Sequence, residues 1–148
     1  MNTHSVSIRS DRVRRSLRER DIEKACSDFL ALDSWRMLKT DPVSDRARGK
    51  GFGELGMADC LYIRYALAPR APIRVRDMMG NLSRVEAQVL WIEHKKPGGK
   101  ASPHQLVWIE AERARGALVW LAGVDFPATV DGFMAHYRAS GLLRRNGL

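Results

Sequence analysis

The first periodic signal begins near Asp21, where Ile22, Ala25, Cys26, Phe29, Leu30 and Leu32 recur at helical spacing. The pattern runs on towards Trp35 and Leu38 until Pro42 forbids continuation, which predicts a first helix with Asp21 as its capping residue. Thr40 to Gly56 is rich in Gly, Asp and Arg and reads as a loop, with a short strand expected near Phe52 to Leu55 as a hairpin partner for the next segment. Ala58 to Ala66 is dense in apolar, aromatic and β-branched residues and predicts a strand. Residues 68–86 carry two prolines and mixed charge without a clear period, as an elaboration between strands would. AQVLWIEHKK, residues 87–96, predicts the next strand, ended by Pro97, Gly98 and Gly99. Ser102 as cap, Pro103 at the first helical position and Gln105 three residues after the cap form a capping box, opening a helix to about Arg115 before Gly116. ALVWLAGV, residues 117–124, is continuously apolar, as expected of a strand covered on both faces. A last helix is expected from about Ala128 to Ser140, before a tail containing Arg144 and Arg145. The order predicts an α/β layer with a central mixed sheet flanked by helices.

Composition narrows the class. The 148 residues, 45% of them hydrophobic, suit one domain with a single core, taken as residues 21–148 behind a basic arm of residues 1–20 that crowds Arg9, Arg12, Arg14, Arg15, Arg18 and Arg20. A formal net charge of +8 and a pI near 10.1 favour a polyanionic partner, nucleic acid first and an anionic membrane surface second. No apolar run approaches the roughly 20 residues of a spanning helix, and no apolar signal core follows the arginines, so a soluble, cytoplasmic protein is expected. A membrane-surface role would need an amphipathic basic helix with large exposed apolar residues, of which the first twenty positions hold few. Cys26 and Cys60 lie inside periodic segments and read as buried thiols; with His4, His94, His104 and His136 they make no zinc-ligand spacing, so any metal here is oxygen-bound.

Chemistry concentrates at the ends of two strands. On a strand, Glu93 and Lys95 project to one face while Ile92 and His94 point to the other. A strand as apolar as VLWI has little reason to carry such a pair unless the two bond each other or bind something. Asp59, at the start of the preceding strand, joins them if the two strands are neighbours. Two carboxylates and a lysine make an oxygen-ligand site suited to magnesium or manganese, with the backbone carbonyl of His94 as a further ligand. Such a site hydrolyses phosphodiesters, with Lys95 orienting water or offsetting developing charge. The competing reading of Glu93 and Lys95 is an exposed strand-edge ion pair, and of Asp59 a turn residue. Arg46, Arg48 and Lys50, with Lys96 and Lys100, either contact phosphates or are solvated loop charges. Trp91, Trp108 and Trp120 read as core rather than as base-stacking platforms.

The runs GMADCLYIR, VLWIEHKKPGG and SPHQLVWIEAERARGALVWLAG, in that order, resemble the PD-(D/E)xK nuclease superfamily and within it the VRR-NUC family, over about Ile22 to Val124. The resemblance implies a restriction-endonuclease-like core of order α-β-β-β-α-β plus a C-terminal helix, and a Mg2+- or Mn2+-dependent deoxyribonuclease. Its site residues map onto Glu23, Asp59, Glu93 with Lys95, and Gln105, with Glu23 a possible metal ligand. It also implies a homodimer acting on branched or Holliday-junction-like DNA. Read from the residues alone, Glu23 is a solvated side chain in a first helical turn and Gln105 a capping residue. Ala58 stands where the family usually has a proline, which bears on the turn before Asp59. The rival of a different class is a nucleic-acid-binding module of the same fold that never cuts.

Overall fold

A computed structural model of the chain describes residues 18–40, 53–67, 74–76 and 79–144. Its elements are α1 (Glu19–Leu32), β1 (Arg36–Lys39), β2 (Cys60–Leu67), β3 (Arg74–Arg76), β4 (Leu82–Glu93), α2 (Pro103–Ala114), β5 (Val119–Leu121) and α3 (Val130–Ala139). The result is an α/β fold: three helices around a mostly antiparallel open sheet of five strands among the described residues.

Helix α1 begins at Glu19, before the expected cap. Arg18 is the N-cap, and Asp21 sits three residues on, its carboxylate accepting from the Arg18 N–H at 3.2 Å. The helix does not run on to Pro42. Ser34 adopts φ 67°, its N–H donates to Ala31 O, and the Trp35 N–H donates to Leu30 O, the paired bonds of a left-handed helix stop. Glycine usually marks such a stop; serine here does so unannounced. The chain turns back, Trp35 enters the core, and Arg36–Lys39 becomes an edge strand where helix was expected.

Strand β2 starts at Cys60 rather than Ala58 and pairs antiparallel with both β1 and β4. The twelve-residue β4 starts at Leu82, inside the stretch expected to lack strands, and ends at Glu93, so Lys95 lies just past the strand. Its first residues pair with β3, which also lies in that stretch, and its last three pair parallel with β5. The strand expected near Phe52 to Leu55 is absent from its described part: Gly53 to Leu55 lie in turn and irregular backbone, and Phe52 lies outside the described residues.

Two apolar clusters grip the sheet. Ile22, Cys26 and Leu30 of α1 and Phe133 and Tyr137 of α3 pack on Cys60, Tyr62, Leu90, Ile92 and Trp120. On the opposite face, Trp108 and Ile109 of α2 pack on Val119, Leu121, Ala58 and Trp91, with the Trp91 and Trp108 rings 5.1 Å apart edge to face. Strand β5 is thus covered on both sides, as its unbroken apolar run requires. Trp108 and Trp120 are core, Trp91 packs partly buried against it, and both cysteines are buried thiols. No helix among the described residues is long and apolar enough to cross a membrane.

One polar group is sunk into the first cluster. Arg64, 4% exposed, donates through Nη1 to Asp33 Oδ2, through Nε to Gln88 Oε1 and through Nη2 to Leu142 O, each at 2.6 Å, and stacks over Trp35. Asp33 also accepts from the Tyr137 hydroxyl, so the end of α1, β2, α3 and the segment after α3 meet at one ion pair. Removing one member strands a buried charge. Asp33→Ala should therefore lower the unfolding free energy by about 3 to 5 kcal/mol in urea melts; a loss under about 1 kcal/mol would show the pair to be dispensable.

Candidate active site

The β2–β4 register decides what meets what. Cys60 stands opposite Ile92, so the next position outward places Asp59 beside Glu93. The Asp59 backbone N–H donates to Glu93 Oε2 at 3.2 Å, which establishes the adjacency directly. Lys95, past the strand end, turns back to place Nζ 2.6 Å from Glu93 Oε1. Gln105 on the first turn of α2 donates through Nε2 to the same oxygen at 2.6 Å. Residues just before β2, just after β4 and on α2 thus converge on one carboxylate.

Glu93 is fully buried. Burial pushes its carboxyl above the ordinary carboxylate range; the bond to Lys95 works against that rise, and the negative charge of Asp59 adds to it. Lys95 is 12% exposed, so the pair is not a strand-edge ion pair in water. Two like charges held side by side with partial compensation form a site that gains from a further cation.

Gln105 does two things at once. Its Oε1 accepts from the Ser102 N–H at 2.9 Å, completing the capping box, while its Nε2 faces Glu93. Capping and site roles are therefore carried by different atoms of one amide. The position of α2 is fixed in turn by Gly56, at φ 83°, where an added Cβ would lie 2.2 Å from the His104 carbonyl oxygen and 2.8 Å from the Gln105 nitrogen. Only a residue without a side chain lets the chain approaching Asp59 lie against the helix that carries Gln105. Glu54 strengthens the contact by accepting from Trp108 Nε1 at 2.8 Å.

Glu23 is engaged by Lys39. Its Oε2 accepts from Lys39 Nζ at 2.7 Å, and among the described residues no three His, Cys, Asp or Glu side chains are grouped to hold a metal. Lys39 was hidden because the helical period ran across it, and Arg36–Lys39, polar, apolar, apolar, polar, has no two-residue alternation to mark an edge strand. Burial works to lower the Lys39 pKa, but the bond to Glu23 and nearby negative charge, Asp59 included, outweigh it and hold the ammonium charged.

Lys96 and Lys100 are exposed on the loop between β4 and α2, and the Lys96 N–H donates to Glu19 Oε2 at 3.3 Å. Arg46, Arg48 and Lys50 lie outside the described residues. Two carboxylates are a fitting donor set for magnesium or manganese, which take one or two protein carboxylates and fill their remaining positions with water and phosphate oxygens. Comparison with protein-family models, curated proteins and solved structures finds no match.

His94 points to the opposite face from Glu93, as strand alternation requires. It is 1% exposed, with Nε2 3.2 Å from the Tyr62 hydroxyl and Nδ1 without a hydrogen-bond partner among the described residues. Burial lowers its pKa from 6.5 to about 4, so the folded chain keeps it neutral while the unfolded chain protonates it below 6.5. The unfolded state then binds more protons between those values, and stability present above pH 6.5 is lost as pH falls towards 4. His94→Gln should flatten that slope, by roughly 3 kcal/mol across the window. An unchanged slope in urea melts at stepped pH would assign the acid sensitivity to other groups.

Proposed function

We propose that the chain is a divalent-cation-dependent nuclease acting on DNA, with Asp59 and Glu93 holding Mg2+ or Mn2+ and with Lys95 and Gln105 completing the site. The observation that carries this reading is the convergence of Asp59, Lys95 and Gln105 on the buried carboxylate of Glu93. A cation bound there supplies Lewis acidity towards a phosphodiester and the water that attacks it. The protein's own groups do the rest. Lys95 Nζ, fixed by its bond to Glu93, presents positive charge and a donor where charge develops on phosphate oxygens. Gln105 holds Glu93 in its rotamer and, through the capping box, ties that orientation to the start of α2. The net charge of +8 draws a polyanion to the surface before any contact is made.

The order α1-β1-β2-β4-α2-β5, with β3 as an insertion before β4, supports a restriction-endonuclease-like core, and the ordered motifs support VRR-NUC kinship. Both belong to the proposal, as do a homodimer and branched or junction DNA as substrate; paired incisions across a junction need two sites, which two copies related by a twofold axis supply. One observation favours the rival. Glu93 already accepts from Lys95, Gln105 and the Asp59 N–H, so a binding module could keep this arrangement as internal charge balance without cutting.

Incubating the protein with duplex, flap and four-way-junction DNA, with Mg2+, with Mn2+ and with chelator, separates the two. Metal-dependent cutting is expected, with Lys95→Ala lowering the rate at least about a hundredfold while salt-sensitive DNA binding persists. Salt-sensitive binding with no cleavage under either metal selects the binding module; full activity in Lys95→Ala removes Lys95 from the mechanism.

A further inference from the structure

The negative charge around the β2–β4 ends is met from two sides. Lys95 compensates Glu93 on one. On the other stands Lys39, on β1 opposite Cys60 and on the Cys60 face of the sheet, one position before the Thr40 that pairs with Asp59, and its ammonium feels the Asp59 charge. Its strand face is turned towards α1, where Met37 meets Ser27 and Lys39 meets Glu23. The Thr40 N–H donates to Asp59 O at 2.9 Å and the Thr40 hydroxyl to Ala58 O at 2.7 Å, so the end of β1 is tied to the backbone that presents Asp59.

The Glu23 side chain is 18% exposed and faces Lys39 Nζ at 2.7 Å, while Lys39 is half exposed and lies 3.8 Å from Cys60 Sγ. A carboxylate so covered needs a cation. A divalent ion would meet that need from solvent, with Glu23 as ligand; here an ammonium already supplies it, and a second positive ion beside it is repelled. An ammonium carries three donors, so Lys39 can bond Glu23 and still turn a donor towards a phosphate oxygen. We propose that Lys39 is a resident cation on the Glu23 side of the site, so that the chain binds one divalent ion at Asp59 and Glu93 and Lys39 excludes a second. This rests on the reading of Asp59 and Glu93 as a cation site.

The test is a Mn2+ titration of the full chain, following free Mn2+ by electron paramagnetic resonance, so no cleavage is required. The wild type should take up one equivalent. Lys39→Met should take up two, the second lost again when Glu23→Gln is added, and Lys39→Arg should stay at one. Lys39→Gln serves in place of Lys39→Met if circular dichroism shows the methionine variant unfolded. One equivalent in the neutral variants, or two in the wild type, overturns the exclusion. If the wild type binds none and Lys39→Met binds one that depends on Glu23, the exclusion stands and the Asp59–Glu93 reading fails. No uptake by either overturns both.

Discussion

The antiparallel ladder between β2 and β4 is the constraint on which the rest depends. Because side chains alternate along a strand, a slip of one residue would send Glu93 to the opposite face and His94 into its place. The register is held from within: Cys60, Tyr62, Leu90 and Ile92 all face α1 and α3, and Arg64 locks its neighbour Gln88 across the ladder. The same alternation that buries this apolar face brings Glu93 and Asp59 together at the sheet's end. Core and site are two consequences of one pairing.

The second constraint is the close approach of the chain before Asp59 to the start of α2. Gly56 lies against the His104 and Gln105 backbone, Ser102 and Gln105 cap the helix, and Gln105 reaches Glu93. Helix capping, an ordinary local device, becomes the means by which one helix orients a residue on a strand. The cost of burying Glu93 is met by three donors rather than by exposure, which keeps the carboxylate in one place.

Much of this was legible in the sequence. Density in apolar, aromatic and β-branched residues located β2 and the end of β4, the capping box located α2, and the apolar run located β5. Glu93, Lys95 and Asp59 were visible because charge at the ends of apolar strands is conspicuous. What stayed hidden had a local physical reason. Ser34 adopts a left-handed conformation without the glycine that advertises it, so α1 read through its own stop and absorbed β1, and Lys39 with it. Strand β3 is three residues long and gains its place only by pairing with β4, which no local pattern encodes. Gly56 matters for what it touches in space, and its neighbours lie about fifty positions away.

Whether the β2–β4 register builds a cation site from Asp59 and Glu93 is decided by paramagnetic broadening. In the nitrogen–proton spectrum of the labelled chain, substoichiometric Mn2+ should broaden first the backbone amides of Asp59, Cys60, Glu93, His94 and Lys95, together with Gln105 on α2. Asp59→Asn combined with Glu93→Gln should abolish that pattern. Broadening centred on other residues, or spread evenly over the exposed acidic side chains, would contradict it.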